Sequence, residues 1–294
     1  MATSAAMFNR CREAGINFFD CADIYSGGGA ETFLGELIAE CRDELVITTK
    51  FWAPMSADPN DRRCSRRHIR LAIEASLKRL KTDRVDIYFL HVFDETTPLE
   101  ETLCALDDLV REGKVLYIGA SNIAAWQAAK ALGISARLGL HAFKCLQPMY
   151  SLVKRQAEVE ILPMAQSENL GAISFSPLAG GLLTGKYNAG SQPDGARLLS
   201  SDVEIRRYLN AQNYEVAERF TDLAKERGIH PVSLALAWVG HHPGITSPII
   251  GARNLEQLET SLAASAVDMT DELYKAVSAL SPTPPPATDR SETV

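Results

Sequence analysis

Short apolar runs alternate with amphipathic segments along most of the chain, and this alternation constrains the fold more than any other feature. The runs Ile16–Asp20, Glu44–Thr49, Val85–Leu90, Val115–Gly119, Phe143–Gln147, Ala172–Phe175 and Pro248–Ile250 are short and apolar, as buried parallel strands are. Between them, Ile69, Ile73, Leu77 and Leu80 recur at helical spacing in Arg66–Leu80. Leu99, Leu103, Leu106 and Val110 do so in the next segment, and Leu255, Leu258 and Leu262 in a later one. A helix is also expected over Asn213–Arg227. Strand and helix in this rhythm predict a parallel sheet with helices packed outside it. The 294 residues exceed the length of about 250 typical of one α/β barrel and suit one large domain, 1–280, better than two. Seven strands are legible rather than eight. The chain opens in an apparent helix, Ser4–Ala14, so the expected architecture is a (β/α)8 TIM-type barrel lacking its N-terminal first strand.

Gly185–Asp202 is rich in Gly, Ser, Asn, Asp and Pro and reads as a long loop, the kind of segment that often serves function. The residues 281–294, SPTPPPATDRSETV, read as a disordered tail. A net charge of -7 argues against nucleic acid or an anionic membrane as the main partner. No apolar run reaches the roughly 20 residues needed to span a bilayer. The six cysteines are scattered without C-x-x-C spacing, which favours a reducing compartment, the cytoplasm, and gives no metal signature. His241 and His242 bring no further ligands, and neither SGGGAE nor GLLTGKY continues as a phosphate loop. The run DRRCSRRHIR reads as the solvated start of a helix.

Active sites of parallel barrels form where the strands end. The polar residues at those ends are Asp20, Lys50, His91, Ser121, Asn122 and Gln147, with Tyr25 in the loop after Asp20. Tyr, Lys, Asp and His together have a chemical use. An ammonium favours phenolate and is expected to lower the tyrosine pKa, a carboxylate holds the ammonium, and the phenol becomes a general acid for a carbonyl oxygen. A histidine beside that oxygen orients and polarises it. Each residue alone has a plainer reading: a packing tyrosine, a solvated lysine, a core histidine, a loop-capping aspartate.

Seven segments, in order, resemble the aldo-keto reductase family. GINFFDCADIYSGGGAETFLG is similar to the signature around that family's catalytic Asp and Tyr; ELVITTK and DIYFLHVFD resemble the strands that deliver its Lys and His. VLYIGASN, KCLQPMYS, AISFSPLAGGLLTGKY and SPIIGARNLEQLETSL resemble its cofactor-binding segments. The resemblance runs from about Ala14 to about Ala264 and implies reduction of aldehydes or ketones with NADP(H). Tyr25 would be the proton donor, Lys50 its modulator, Asp20 the partner of Lys50, and His91 the orienting group. Ser121, Asn122 and Gln147 would hold the nicotinamide carboxamide, with Phe175 stacked on the ring. Ser176, Leu178, Gly180, Lys186 and Gly251 fall in the segments that line the cofactor, and Arg197, in the long loop, resembles an arginine that closes over it. Arg253 is the natural bidentate partner of a 2′-phosphate, with Gln257 one turn further on. Ser261 stands where many relatives have Asn, and the family's usual first strand is not seen. Trp52 and Tyr150 are candidate linings of the substrate pocket. The resemblance also admits a cofactor-sensing regulatory subunit or an inactive shortened isoform. The expected partner is a small carbonyl compound, with no nucleic acid, membrane or metal; oligomeric state and substrate identity stay open.

Overall fold

The computed structural model describes residues 2–187, 198 and 202–288, in two compact units. The first comprises Met1–Gln147 with Ser167–Gly171; the second comprises Pro148–Gln166 with Ala172–Val294.

In the first unit, helix α1 (Ala2–Glu13) leads into β1 (Phe18–Asp20), then α2 (Gly29–Leu37), β2 (Val46–Phe51), α3 (Arg66–Leu80), β3 (Val85–Leu90), α4 (Leu99–Arg111), β4 (Val115–Ser121), α5 (Ala125–Leu138) and β5 (Phe143–Gln147). Each strand pairs in parallel with the next, in register Asp20↔Thr48, Lys50↔Phe89, Phe89↔Gly119 and Ser121↔Gln147. Strand propensity is supplied by Val, Ile, Thr, Tyr and Phe, whose side chains fit a buried pleated surface. Gly119 is dictated by packing: a Cβ there would lie 2.5 Å from the Phe89 ring and 2.7 Å from the Cys145 carbonyl oxygen. Helix α3 begins where the Ser65 side chain accepts from the His68 amide and ends at Lys81, in left-handed backbone. Its expected face, Ile69, Ile73, Leu77 and Leu80, is buried. Arg66 and Arg70, read from sequence as part of a solvated run, are solvent-exposed and form surface ion pairs with Asp108 and Glu112 at the far end of the next helix.

In the second unit, α6 (Ile161–Ser167) precedes β6 (Gly171–Ser174), followed by α7 (Asp202–Tyr208), α8 (Ala211–Glu226), α9 (Pro231–His241), β7 (Ser247–Pro248), α10 (Leu255–Leu262) and α11 (Asp271–Ser278). β6 and β7 pair in parallel, Ser174 opposite Pro248. Helix α9 is apolar around most of its circumference, and Trp238 stacks between Tyr150 and Tyr274 with ring centroids 5.3 and 5.8 Å away. Such aromatic contacts combine large apolar burial with defined geometry.

All seven expected strands are present; Val85–Leu90 and Phe143–Gln147 keep their expected ends, and the others shift. Ile16 and Asn17 precede β1. Arg42–Glu44 is a 3-10 turn, so β2 begins at Val46 and carries Lys50 and Phe51 inside it. β4 continues to Ser121, β6 spans Gly171–Ser174 and β7 is Ser247–Pro248. The helix expected at Asn213–Arg227 runs over Ala211–Glu226, because Asn210 caps it by accepting from the Asn213 amide. Residues 188–197, 199–201 and 289–294, which include most of the expected loop and part of the expected tail, lie outside the described residues. Among the described residues no helix is long and apolar enough to cross a membrane.

Candidate functional site

The parallel register of β1 and β2 brings Asp20 beside Thr48, and the two-residue repeat of a strand returns Lys50 to the same face. Lys50 is 0% exposed. Its Nζ donates to Asp20 Oδ2 at 2.5 Å, to the Cys21 carbonyl at 2.7 Å and to the Tyr25 hydroxyl at 3.4 Å. A buried ammonium needs this compensation, since an unpaired charge in the interior is very costly. Asp20 Oδ1 accepts from Thr48 Oγ1 at 2.7 Å and from Gln147 Nε2 at 2.9 Å. One carboxylate therefore ties together the ends of β1, β2 and β5.

Tyr25 reaches Lys50 from a tight loop. Its amide donates to the Ala22 carbonyl, and Ser26, Gly27 and Gly28 take positive φ before α2 begins. The tyrosine keeps 40% of its surface exposed while its hydroxyl meets the ammonium. Sequence reasoning anticipates a lowered tyrosine pKa, and the net direction is the reverse. Burial raises it, the Asp20 charge adds to the rise, and Lys50 pulls down by less than these together. The phenol is therefore protonated at neutral pH. His91 meets Tyr25 edge-on, with ring centroids 6.0 Å apart. Burial, then the Lys50 charge, depress the His91 pKa to about 4 against the opposing pull of Asp20, so this ring is neutral.

Ser121 Oγ donates to the Gln147 carbonyl at 2.9 Å, and Asn122 Nδ2 donates to the His91 carbonyl at 2.9 Å and to Ser121 Oγ at 3.1 Å. Asn122 adopts φ +50, a conformation Asn tolerates better than most residues. Asp20, Tyr25, Lys50, His91, Ser121, Asn122 and Gln147 thus form one connected set within the first unit. With both amide nitrogens engaged as donors, the amide oxygens of Asn122 and Gln147 are left to accept.

Sequence reasoning missed the layer behind this set. Thr49 points away from Lys50 and donates to Glu31 Oε1 at 2.5 Å, while Arg79 Nε donates to Glu31 Oε2 at 2.6 Å. Glu31 is wholly buried, as are Asp23 and Tyr88. The strand alternation that places Lys50 on one face places Thr49 on the other, and this was the available signal.

In the second unit, Phe175 donates its amide to the Pro148 carbonyl and accepts from the Tyr150 amide. Beyond it the chain winds through positive φ at Ser176, Ala179, Gly180, Gly181 and Gly185. Runs of this kind make concave surfaces of backbone N–H groups suited to anions. A Cβ at Gly180 would lie 2.7 Å from Glu204 Oε2, whereas one at Gly251 would meet nothing within 4 Å. Lys186 Nζ lies 5.8 Å from the Tyr187 ring centroid, and the Arg253 charge is felt at Tyr187, where it opposes the upward push of burial. Asn254 caps α10 by accepting from the Gln257 amide at 2.9 Å, and the Arg253 amide donates to Gln257 Oε1 at 3.1 Å. Ser261 is buried and donates to the Gln257 carbonyl. Leu178 is partly buried against the apolar core of this unit. Arg197 lies outside the described residues.

Tyr150 does not suit a pocket wall. It is 0% exposed, donates to Glu158 Oε1 at 2.6 Å and stacks on Trp238. Trp52 holds φ +140, which is strained for a non-glycine residue, directly after the Lys50 strand. Among the described residues no group of three His, Cys, Asp or Glu side chains could hold a metal ion.

The profile of the aldo/keto reductase family matches residues 1–282. The chain belongs to the aldo/keto reductase family. Its architecture is accordingly that family's α/β barrel, with seven of the strands among the described residues. It is 37% identical over 297 residues to an uncharacterized oxidoreductase of Bacillus subtilis (strain 168), covering 96% of this chain and 88% of the relative. It is 36% identical to a probable voltage-gated potassium channel subunit beta of Arabidopsis thaliana, covering 86% and 79%. It is also 36% identical to a norsolorinic acid reductase of Emericella nidulans, covering 92% and 70%. Proteins named as oxidoreductases are thus among the relatives of this aldo/keto reductase.

Proposed function

We propose that this chain is an NADP(H)-dependent reductase of aldehydes and ketones in which Tyr25 delivers the proton. The observation that carries the reading is the fully buried Lys50 ammonium shared between Asp20 and the Tyr25 hydroxyl. A lysine without function is rarely buried at such cost. The chemistry that the cofactor supplies when bound is a hydride for the carbonyl carbon. Tyr25 donates its O–H proton to the carbonyl oxygen, and Lys50 stabilises the phenolate that remains. Asp20 keeps Lys50 in place. His91, neutral at working pH, retains one ring N–H to orient the oxygen. Solvent reaches the half-exposed Tyr25 and returns the proton.

The residues present fit the cofactor. Within the first unit, the acceptor oxygens of Asn122 and Gln147, with Ser121, suit a carboxamide; within the second, Phe175 offers a ring of the kind that stacks on a flat aromatic. The winding Ser176–Gly185 backbone, including Leu178 and Gly180, suits the pyrophosphate together with Lys186 and Gly251; Arg197 is assigned to it from the sequence resemblance alone. Arg253 at the start of α10 suits a 2′-phosphate, and Gln257 the adenosine end. The six cysteines, all unpaired, favour the cytoplasm.

Tyr25→Phe is the test. It should abolish carbonyl reduction and leave NADPH binding intact; reduction at the parent rate would remove the assignment. A second reading, a cofactor-binding subunit of a larger assembly, is favoured by the similarity to a channel beta subunit. NADPH binding without turnover over a broad aldehyde and ketone panel would select it.

A further inference from the structure

Two residues before Tyr25, the side chain of Asp23 enters the layer behind the Lys50 face. It is 0% exposed, and neither carboxyl oxygen has a hydrogen-bond partner of normal geometry among the described residues. The Ile24 amide of its own turn points toward the carboxyl and favours its charged form. Buried carboxyl groups are ordinarily hydrogen-bonded, and the isolated ion is costly in such a place.

The counter-charge felt at Asp23, Arg79, is already engaged. Glu31 on α2 is wholly buried and acidic. Arg79 on α3 donates through Nε to Glu31 and through Nη2 to Ser76. Asp61, in the segment before α3, adds a further negative charge. Tyr88 on β3 contributes a wholly buried hydroxyl that itself lacks a partner. An ionised Asp23 would be a second buried anion beside Glu31, with Arg79 already held by Glu31. Protonation removes the conflict and creates an O–H donor. Burial, then Glu31, push the Asp23 pKa up to about 7, against the Ile24 amide and Arg79.

The backbone joins this group to the site. The Asp23 amide donates to the Lys50 carbonyl at 3.3 Å, and the turn that follows sets Tyr25 against the ammonium. We propose that Asp23 is a positioning residue that works as a neutral carboxylic acid, holding the Tyr25 loop in place, and that the loop loosens when this acid ionises. For turnover the inference rests on the assignment of Tyr25 as proton donor; for loop order it does not.

The test has a spectroscopic arm and a kinetic arm. Infrared difference spectra of the wild type against Asp23→Asn, each at about pH 6 and about pH 8, read the carbonyl stretch of a protonated carboxyl. For a group titrating near pH 7, its neutral fraction falls from roughly 90% to roughly 10% over that range. Amide exchange of Ile24 to Gly28, expressed as protection relative to the free chain, reads loop order. The wild type should lose the infrared band and several-fold protection as pH rises. Asp23→Asn should lack the band yet keep the low-pH protection throughout, because a neutral amide of the same shape replaces a neutral acid. Asp23→Ala should be poorly protected at both pH values. In the kinetic arm, wild-type kcat should fall with protection as pH rises, with little change in substrate KM, and Asp23→Asn should flatten that limb. No protonated-carboxyl band at about pH 6, or an Asp23→Asn protein that is unfolded or as poorly protected as Asp23→Ala, would overturn the proposal. Should the band and exchange behave as expected while Tyr25→Phe still reduces aldehydes, the Tyr25 assignment fails and the loop inference stands.

Discussion

Replacing Asp20 by Asn should destabilise the protein far more than one conservative change of a single atom suggests. The Asp20 carboxylate accepts from Lys50, Thr48 and Gln147, and the Lys50 side chain facing it is 0% exposed. The amide keeps one acceptor oxygen but removes the only full negative charge bonded to Lys50. The ammonium is then left with the neutral Cys21 carbonyl and the Tyr25 hydroxyl. Breaking a buried pair from one side costs about 3–5 kcal/mol. The retained oxygen places this case at the lower end, about 3 kcal/mol. Using roughly 2–4 °C per kcal/mol for chains of 150–250 residues, Tm should fall by roughly 6–12 °C. Urea unfolding followed by circular dichroism supplies the free energy, with the slope m as a check that the unfolded state is unchanged. A companion Asp20→Asn/Lys50→Met double variant should recover part of the loss, because removing both charges leaves no orphan. A single variant within about 1 kcal/mol of the parent, or a double variant with fully additive losses, would refute the claim that the buried charges compensate one another.

The depressed His91 pKa carries a sign. The unfolded ring binds a proton near pH 6.5 and the folded ring only near 4, so stability is lost as pH falls through that window, by about 3 kcal/mol at most. Nuclear magnetic resonance of His91 should show a neutral ring at pH values where exposed histidines are charged; titration near pH 6.5 would refute the burial argument. Gly35→Ala places a Cβ 2.6 Å from backbone atoms of Arg79 and Leu80, so α2 must move away from the end of α3. The cost should be about 1–3 kcal/mol in urea unfolding, and a neutral result would mean that the two helices are not in close contact. Arg253→Ala should weaken NADPH binding much more than NADH binding in a fluorescence titration; equal weakening would remove the 2′-phosphate role.

The strands were legible because β-branched and aromatic runs are strong signals, and the polar residues that end them pointed directly to the connected set around Lys50. Their boundaries were less legible. Arg42–Glu44 closes a turn by backbone hydrogen bonds that periodicity does not record, which moved β2 toward Lys50 and Phe51. Helix α2 was hidden by three successive glycines, although the helix starts at the last of them. Charge alone gave the wrong direction for Tyr25, because burial depends on packing that no spacing rule supplies. Tyr150 looked like a pocket residue by type and position, yet Glu158 and Trp238 commit it to the core of its unit. The pairing of Glu31 with Arg79 joins residues 48 apart, beyond any local pattern.

The bonds converging on Asp20 also order events in time. Its partners Thr48 and Lys50 lie 28 and 30 residues away, but Gln147 lies 127 away. Closing so long a loop is entropically expensive until intervening elements have formed. A chain emerging from the ribosome can therefore set lysine against aspartate early, but cannot complete the carboxylate's coordination until β5 has been made and added to the edge of β4. The chemistry of this site is inscribed last, and its full set of hydrogen bonds is a signature that the first unit has finished folding.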